Sequence, residues 1–379
     1  MLVGGTCHAS LAAGGCDDQG LVGSAGGATG QDAGSEHAPV DGVGGGRAGG
    51  DASGNDAGDD RAAAPYSIVV LPDTQFYSSS WRDIFISQTR WIVDNVDAQQ
   101  IAFVLHTGDI VDSDVPDQWD AAARSLHLLD GHLPYVITAG NHDYFNLADR
   151  MGMINTYFPP THFSAFSWFG ETFEAGHVEN SFSVLPVDRG RASWLVLALE
   201  FGPRDEVLAW AASVLDAYRL TPAIIVTHAY LYRDGTPYDQ SVTPHQQFNP
   251  HDYVMMGQPG TTVNDGEEIW QKVISRHNNV KLVFSGHDVN GRGLGPGTVN
   301  LLTRSRADGT VVHQILANYQ TCTAAPCESY AGAQVHGGNG FLRLLRFNPG
   351  DQTIAVTSYS PYLDESLADP ANKFVLPMN

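Results

Sequence analysis

The chain has 379 residues, of which 42% are hydrophobic and 10% aromatic, enough to bury a sizeable core in one large or two ordinary domains. Its 42 acidic against 20 basic residues give a formal charge of -22, which repels polyanions and argues against nucleic acid as a partner unless bound metal reverses the field locally. No apolar run reaches the length of about 18 residues that a membrane-crossing helix needs.

Residues 1 to about 64 are dominated by Gly, Ala, Asp and Ser. Almost no large apolar side chain is present to offset the entropy of ordering, so this head is expected to be a disordered linker ahead of one domain over residues 65–379. Within it, Ala13-Gly14-Gly15-Cys16 resembles a bacterial lipoprotein cleavage box, although small residues are so common here that chance produces such a string as readily. A lipid anchor on Cys16, and a place outside the cytoplasm (periplasmic, secreted or lipoprotein), are the expectations attached to it. Four cysteines fall in two pairs, Cys7 with Cys16 and Cys322 with Cys327. The short loop holding Cys322 and Cys327 suits a disulfide or two buried thiols better than zinc, because a second ligand pair is missing.

From Ser67 onward short apolar strands alternate with helical periods, the pattern of a layered α/β domain. Strands are expected at Ser67 to Leu71, Ile101 to Leu105, Tyr135 to Thr138, Ser193 to Leu199, Ala223 to Thr227 and Lys281 to Ser285. Between them, Ile84, Phe85, Trp91 and Ile92 share one helical stripe, and Val207, Ala211, Val214, Leu215 and Tyr218 another. Thr310 to Ala317, Phe341 to Phe347 and Thr353 to Tyr359 read as further strands, implying a second, more antiparallel sheet. The aromatic-rich insertion Tyr157 to Phe169 is expected to pack down, with lining a substrate pocket as the alternative.

Five of the apolar strands run straight into residues able to bind metal: Asp73-Thr74-Gln75, Gly108-Asp109, Gly140-Asn141-His142-Asp143, His228 and Gly286-His287. Any one of these is ordinary, since a lone Asp after a strand is usually a turn or cap and a lone His a satisfied core residue. Five in this order, several with a glycine that permits close backbone approach, are improbable without a shared site at the strand ends.

Set out as D-T-Q, G-D-I-V-D, G-N-H-D, H and G-H-D-V, these residues resemble the motifs of the calcineurin-like metallophosphoesterases, over roughly residues 65 to 348. The resemblance implies an α/β four-layer metallophosphoesterase fold, two packed mixed β-sheets flanked by helices, acting as a metal-dependent hydrolase of phosphomonoesters or phosphodiesters. It further implies two divalent metal ions, drawn from manganese, iron, zinc, magnesium and calcium. Asp109 would bridge them, Asp73 and Gln75 would serve the first, and Asn141, His228 and His287 the second. His142 would be the general acid that protonates the leaving alkoxide while a metal-activated hydroxide attacks. Asp112 would accept a hydrogen bond from His142 and orient it, although Asp112 also reads as a helix cap.

Two positions depart from the family pattern. Gln75 replaces the usual histidine of the first motif, as in a bacterial subgroup that also shares the late string Ala317-Asn318-Tyr319-Gln320, and its carbonyl oxygen can still bind metal. Val289 stands where the last motif keeps a second histidine, so the first metal position loses both nitrogen ligands. Arg292 is a candidate to bind a phosphate oxygen, with a plain surface arginine as the alternative. His106 precedes the bridging motif and His313 lies in an alternating strand, where a structural hydrogen bond is the default. A rival class is a non-catalytic relative that binds a phosphorylated or sugar ligand, and a third is a surface scaffold on an enzyme fold.

Overall fold

The structure, a computed structural model, describes residues 63–289, 298–320 and 336–378. Cys7, Cys16, the Cys322 to Cys327 pair, Arg292 and nearly all of the expected linker lie outside the described residues.

In chain order the strands are β1 (Tyr66–Leu71), β2 (Ile101–His106), β3 (Tyr135–Ile137), β4 (Phe169–Thr172), β5 (Ser181–Val187), β6 (Ala192–Leu199) and β7 (Ala223–Thr227). They continue as β8 (Val280–Ser285), β9 (Thr298–Ser305), β10 (Val311–Asn318), β11 (Leu342–Asn348), β12 (Thr353–Ser360), β13 (Glu365–Leu367) and β14 (Phe374–Pro377). One seven-stranded sheet has the order β13-β12-β11-β1-β2-β3, with β14 also paired to β12; the other runs β4-β5-β6-β7-β8-β10-β9. Each sheet is mixed. Strands β1, β2 and β3 are parallel, as are β6, β7, β8 and β10, while β11 meets β1 antiparallel.

The apolar runs of the central strands follow from burial on both faces. Ile68, Val70, Phe103 and Leu105 of the first sheet pack with Val196, Ile224, Val226 and Phe284 of the second. The intervening residues Val69, Leu71 and Val104 cluster instead with Ile84, Phe85 and Ile92 of helix Arg82–Asp94 and with Trp119 and Leu126 of helix Pro116–Leu126. On the far side Leu195, Leu197, Ile225 and Val283 cluster with Val207, Ala211 and Leu215 of helix Asp205–Ala217 and with Ile269 of helix Gly266–Lys272. The result is helix, sheet, sheet, helix. These helices start where local chemistry favours it: Pro116 at the first helical position, and Asp205 with Glu206 in the first turn of the third.

All nine strands expected from the sequence are present, but the last three do not make a separate antiparallel sheet. Strand β10 is buried along almost its whole length and so takes an interior position, parallel to β8 and covered on its other edge by β9. Strand β12 alternates buried with half-buried residues and sits beyond β11 toward the edge of the first sheet. Strand β5 escaped the sequence reading because two serines and a proline dilute its apolar pattern. The insertion at 157–169 packs down: Phe158 and Phe163 are buried, their rings within 6.4 Å of Trp119 and 5.3 Å of Tyr135 respectively. Among the described residues, no helix is long and apolar enough to cross a membrane.

Candidate metal centre

The C-terminal ends of the parallel strands from both sheets deliver the candidate residues. Asp73 follows β1, Asp109 follows β2, Asn141 and His142 follow β3, His228 follows β7 and His287 follows β8. Two glycines let these loops close on one another. A Cβ on Gly140 would lie 2.1 Å from Asp109 Oδ1, and one on Gly286 would lie 2.0 Å from Asp73 Oδ1. Asp109 (φ 49°) and His287 (φ 71°) both hold left-handed backbone, a strain that the packed loops sustain where side chains must be aimed.

Asp73, Asp109 and His228 are buried and offer ligand atoms that lie within 4.8 Å of one another. His228 Nδ1 donates to the Thr107 carbonyl at 2.8 Å, which leaves Nε2 facing Asp109 Oδ2 at 3.2 Å. Burial, reinforced by the charge of Asp109, pushes the Asp73 carboxyl up to about 7 against the opposing influence of His228. Burial would depress His228, yet Asp109 and Asp73 outweigh it and raise the imidazole to about 9. The pocket therefore favours positive charge.

Whether the residues suit a metal is tested by their unsatisfied atoms. Gln75 Oε1 and Asn141 Oδ1 are shielded from solvent and make no hydrogen bond, while His228 Nε2 has only its 3.2 Å approach to Asp109 Oδ2. A buried polar atom left unpaired costs about 1–3 kcal/mol, and Gln75 and Asn141 both belong to the expected ligand set, so a cation fits where the protein supplies them no partner. His287 is placed differently. Its Nε2 donates to the Phe248 carbonyl at 2.9 Å and its ring meets that of His228 edge-on, centroids 4.9 Å apart, which leaves Nδ1 as its lone-pair atom. Burial and the neighbouring His228 lower His287 to about 3, so the ring is neutral, as a ligand must be.

His142 is half exposed, and its Nδ1 donates to the backbone carbonyl of Asp112 at 2.8 Å. The Asp112 carboxylate is 3.9 Å away and accepts instead from Gln75 Nε2 at 3.0 Å. Burial disfavours the charged imidazole, but Asp109 and then the Asp112 carbonyl outweigh it and raise the His142 pKa. The main-chain N–H of His142 reaches Asp109 Oδ1 at 3.0 Å, tying the loop of the expected acid to the expected bridging carboxylate.

Several supporting residues stood in the quoted motifs or strings but had no role assigned from sequence. Asp143 accepts N–H groups from Gly140 and Ile110 at 2.8 Å and from Val111 at 3.0 Å, locking two site loops together. Asn318, at the end of β10, donates to Asp73 Oδ2 at 2.7 Å. It ends an apolar strand with a polar side chain, the same signal that marked the other loops. The carbonyls of Thr107 and Phe248 carry no such signal, because any residue offers one. His106 does not enter the cluster: Nδ1 accepts from Gly108 N at 3.2 Å and Nε2 pairs with Thr74 Oγ1 at 2.9 Å, bracing both loops. His313 is likewise structural, bonded to Thr303 Oγ1 and the Pro377 carbonyl. Asp288 is tied to Arg233, accepting its backbone N at 2.6 Å and facing Nη2 at 2.7 Å.

Two mixed sheets, with carboxylate, imidazole and carboxamide groups gathered at one end of their parallel strands, define a layered α/β domain whose side chains could hold a cation. Residues 66–291, more than half of the chain, match the calcineurin-like phosphoesterases, and the chain belongs to that family, whose chemistry is metal-dependent hydrolysis of phosphoesters. It is similar to the uncharacterized protein YvnB of Bacillus subtilis (strain 168), with 29% identity over 309 residues. That match covers 79% of this chain and 20% of YvnB, so the chain spans about a fifth of its relative's length. Among solved structures it is similar to GAP50, the anchor in the inner membrane complex of Plasmodium, with a TM-score of 0.44 and 10% identity over 82% of this chain and 89% of that one.

Proposed function

We propose that this chain hydrolyses a phosphomonoester or phosphodiester with two divalent metal ions held at the strand ends. The observation that carries the reading is the pair of stranded, buried lone-pair atoms on Gln75 and Asn141, on the loops that bring Asp73, Asp109 and His228 together. Asp109 would be shared by the two positions, with Asp73 and Gln75 completing the first and Asn141, His228 and His287 the second. Manganese, iron, zinc, magnesium and calcium are the candidate ions. Bound cations would supply Lewis-acid polarisation of the phosphoryl oxygens and of the attacking water.

The protein's own part is positioning and proton transfer. Thr107 and Phe248 fix the tautomers of His228 and His287, and Asn318 fixes the rotamer of Asp73. His142, held through Nδ1, keeps Nε2 for the proton that the leaving oxygen takes. A location outside the cytoplasm is part of the same proposal and rests on the composition of the head and its Cys16 string.

The reading is tested by metal analysis of the full chain alongside assays with generic mono- and diester chromogenic substrates. Hydrolysis that tracks metal content supports it. Tightly bound metal with no turnover of either substrate class would instead favour a phosphorylated or sugar ligand bound without reaction.

A further inference from the structure

We propose that His127, Asp130 and His162 form a separate metal-binding site, for an ion of zinc or nickel type, that pins the aromatic insertion to the core. One ligand atom from each residue lies within 4.8 Å of the others. His127 opens the turn that follows helix Pro116–Leu126, Asp130 ends that turn, and His162 comes from the short helix Pro160–Phe163 inside the insertion. The group gathers beside Tyr135, the first residue of β3, whereas the catalytic loop leaves the other end of that strand.

The observation that asks for an ion is His127 Nε2, which is shielded from solvent and has no hydrogen-bond partner. Its ring stacks on that of His162 with centroids 5.0 Å apart and 28° between planes, and meets Phe158 edge-on at 5.0 Å. His162 Nε2 stands 3.1 Å from Asp130 Oδ1, and the Tyr135 hydroxyl donates to the same oxygen at 2.9 Å. A histidine–aspartate hydrogen bond accounts for His162 but leaves His127 stranded. An ion among the three gives His127 Nε2 a partner, takes the lone pair of His162 once its ring hydrogen moves to Nδ1, and leaves Tyr135 to orient the carboxylate from outside.

Two imidazoles and one carboxylate suit a borderline ion such as zinc or nickel rather than calcium or magnesium, which prefer oxygen. His162 and Asp130 are 27% and 29% exposed, and a cavity of about 210 Å³ lined by Asp130, His132, Tyr135, Phe166 and Trp168 opens beside them. That leaves the ion a route from solvent and room for water in its remaining positions.

The test uses the full chain, stripped with a chelator, reloaded with zinc and passed through a desalting column. Wild type should carry one more zinc per chain than His162→Gln or Asp130→Asn, with phosphoesterase activity retained in both variants. In wild type, zinc should slow hydrogen exchange of the backbone around residues 127–135 and 158–163, an arm that does not depend on the variants folding. Equal zinc content in wild type and a folded variant, or unchanged exchange in those two segments, would overturn the proposal.

Discussion

The imidazole of His142 is held by the main-chain carbonyl of Asp112, at 2.8 Å, rather than by the Asp112 carboxylate, which stands 3.9 Å off and is engaged by Gln75. A side-chain substitution at 112 therefore leaves the hydrogen bond to His142 in place. We expect Asp112→Asn to lower kcat by less than about tenfold and His142→Ala by about 10² to 10⁴ with metal content intact. Steady-state kinetics with parallel metal analysis checks both, and equal losses in the two variants would assign the orienting role to the carboxylate.

If His142 delivers the proton to the leaving oxygen, its removal matters only when that oxygen needs one. The loss in His142→Ala should be largest for alkyl esters, whose alkoxide is a poor leaving group, and should shrink toward nitrophenyl esters. The check is the slope of log kcat against leaving-group pKa, which should steepen in the variant. Parallel slopes would remove His142 from the proton transfer.

Away from the chemistry, Glu200 is a buried carboxylate at the end of β6. It takes Arg204 Nε at 2.8 Å and Asn180 Nδ2 at 2.7 Å, and faces Arg150 Nε at 3.4 Å. The side chains of Arg150 and Glu200 are 8% and 2% exposed, so Glu200→Ala leaves a buried guanidinium without its counter-charge. The expected cost is about 3–5 kcal/mol of stability, read from the urea midpoint at unchanged slope. A loss below about 1 kcal/mol would place the pair in the weakly coupled surface class.

The fold was legible wherever burial on both faces writes a continuous apolar run, as in β1, β2, β6 and β7, and the site wherever such a run ends in Asp, Asn or His. Legibility failed in three ways with separate causes. Which sheet a C-terminal strand joins depends on partners far along the chain, so β10 and β11 were assigned to a common antiparallel sheet and belong to different ones. The residues that hold Nδ1 of His142, Nδ1 of His228 and Nε2 of His287 act through backbone carbonyls, which sequence does not distinguish. Asn318 was part of a quoted string but was not placed in the site, because its contact with Asp73 joins residues 245 positions apart.

The two ion positions should be unequal. On the proposed assignment the first would have only oxygen donors, from Asp73, Gln75 and Asp109, because Arg233 engages both oxygens of the neighbouring Asp288. Dialysis against a mild chelator should release about one equivalent first, with activity falling in step and manganese restoring more of it than zinc. Val289→His, which returns an imidazole to that side, should slow the release. Two equivalents leaving together in both proteins would contradict the asymmetry.

The most direct test of the account titrates manganese into the chelator-stripped full chain while bound metal and hydrolysis of a nitrophenyl phosphate ester are followed together, in wild type and in Asp109→Asn. Asp109 is central because it touches His228, receives the N–H of His142 and is the expected bridge between the ions. The account predicts hydrolysis that rises with bound metal and saturates with it, and a variant that has lost both metal and rate. A stripped wild type as active as the loaded one, or an Asp109→Asn variant that keeps its metal and its rate, would contradict it.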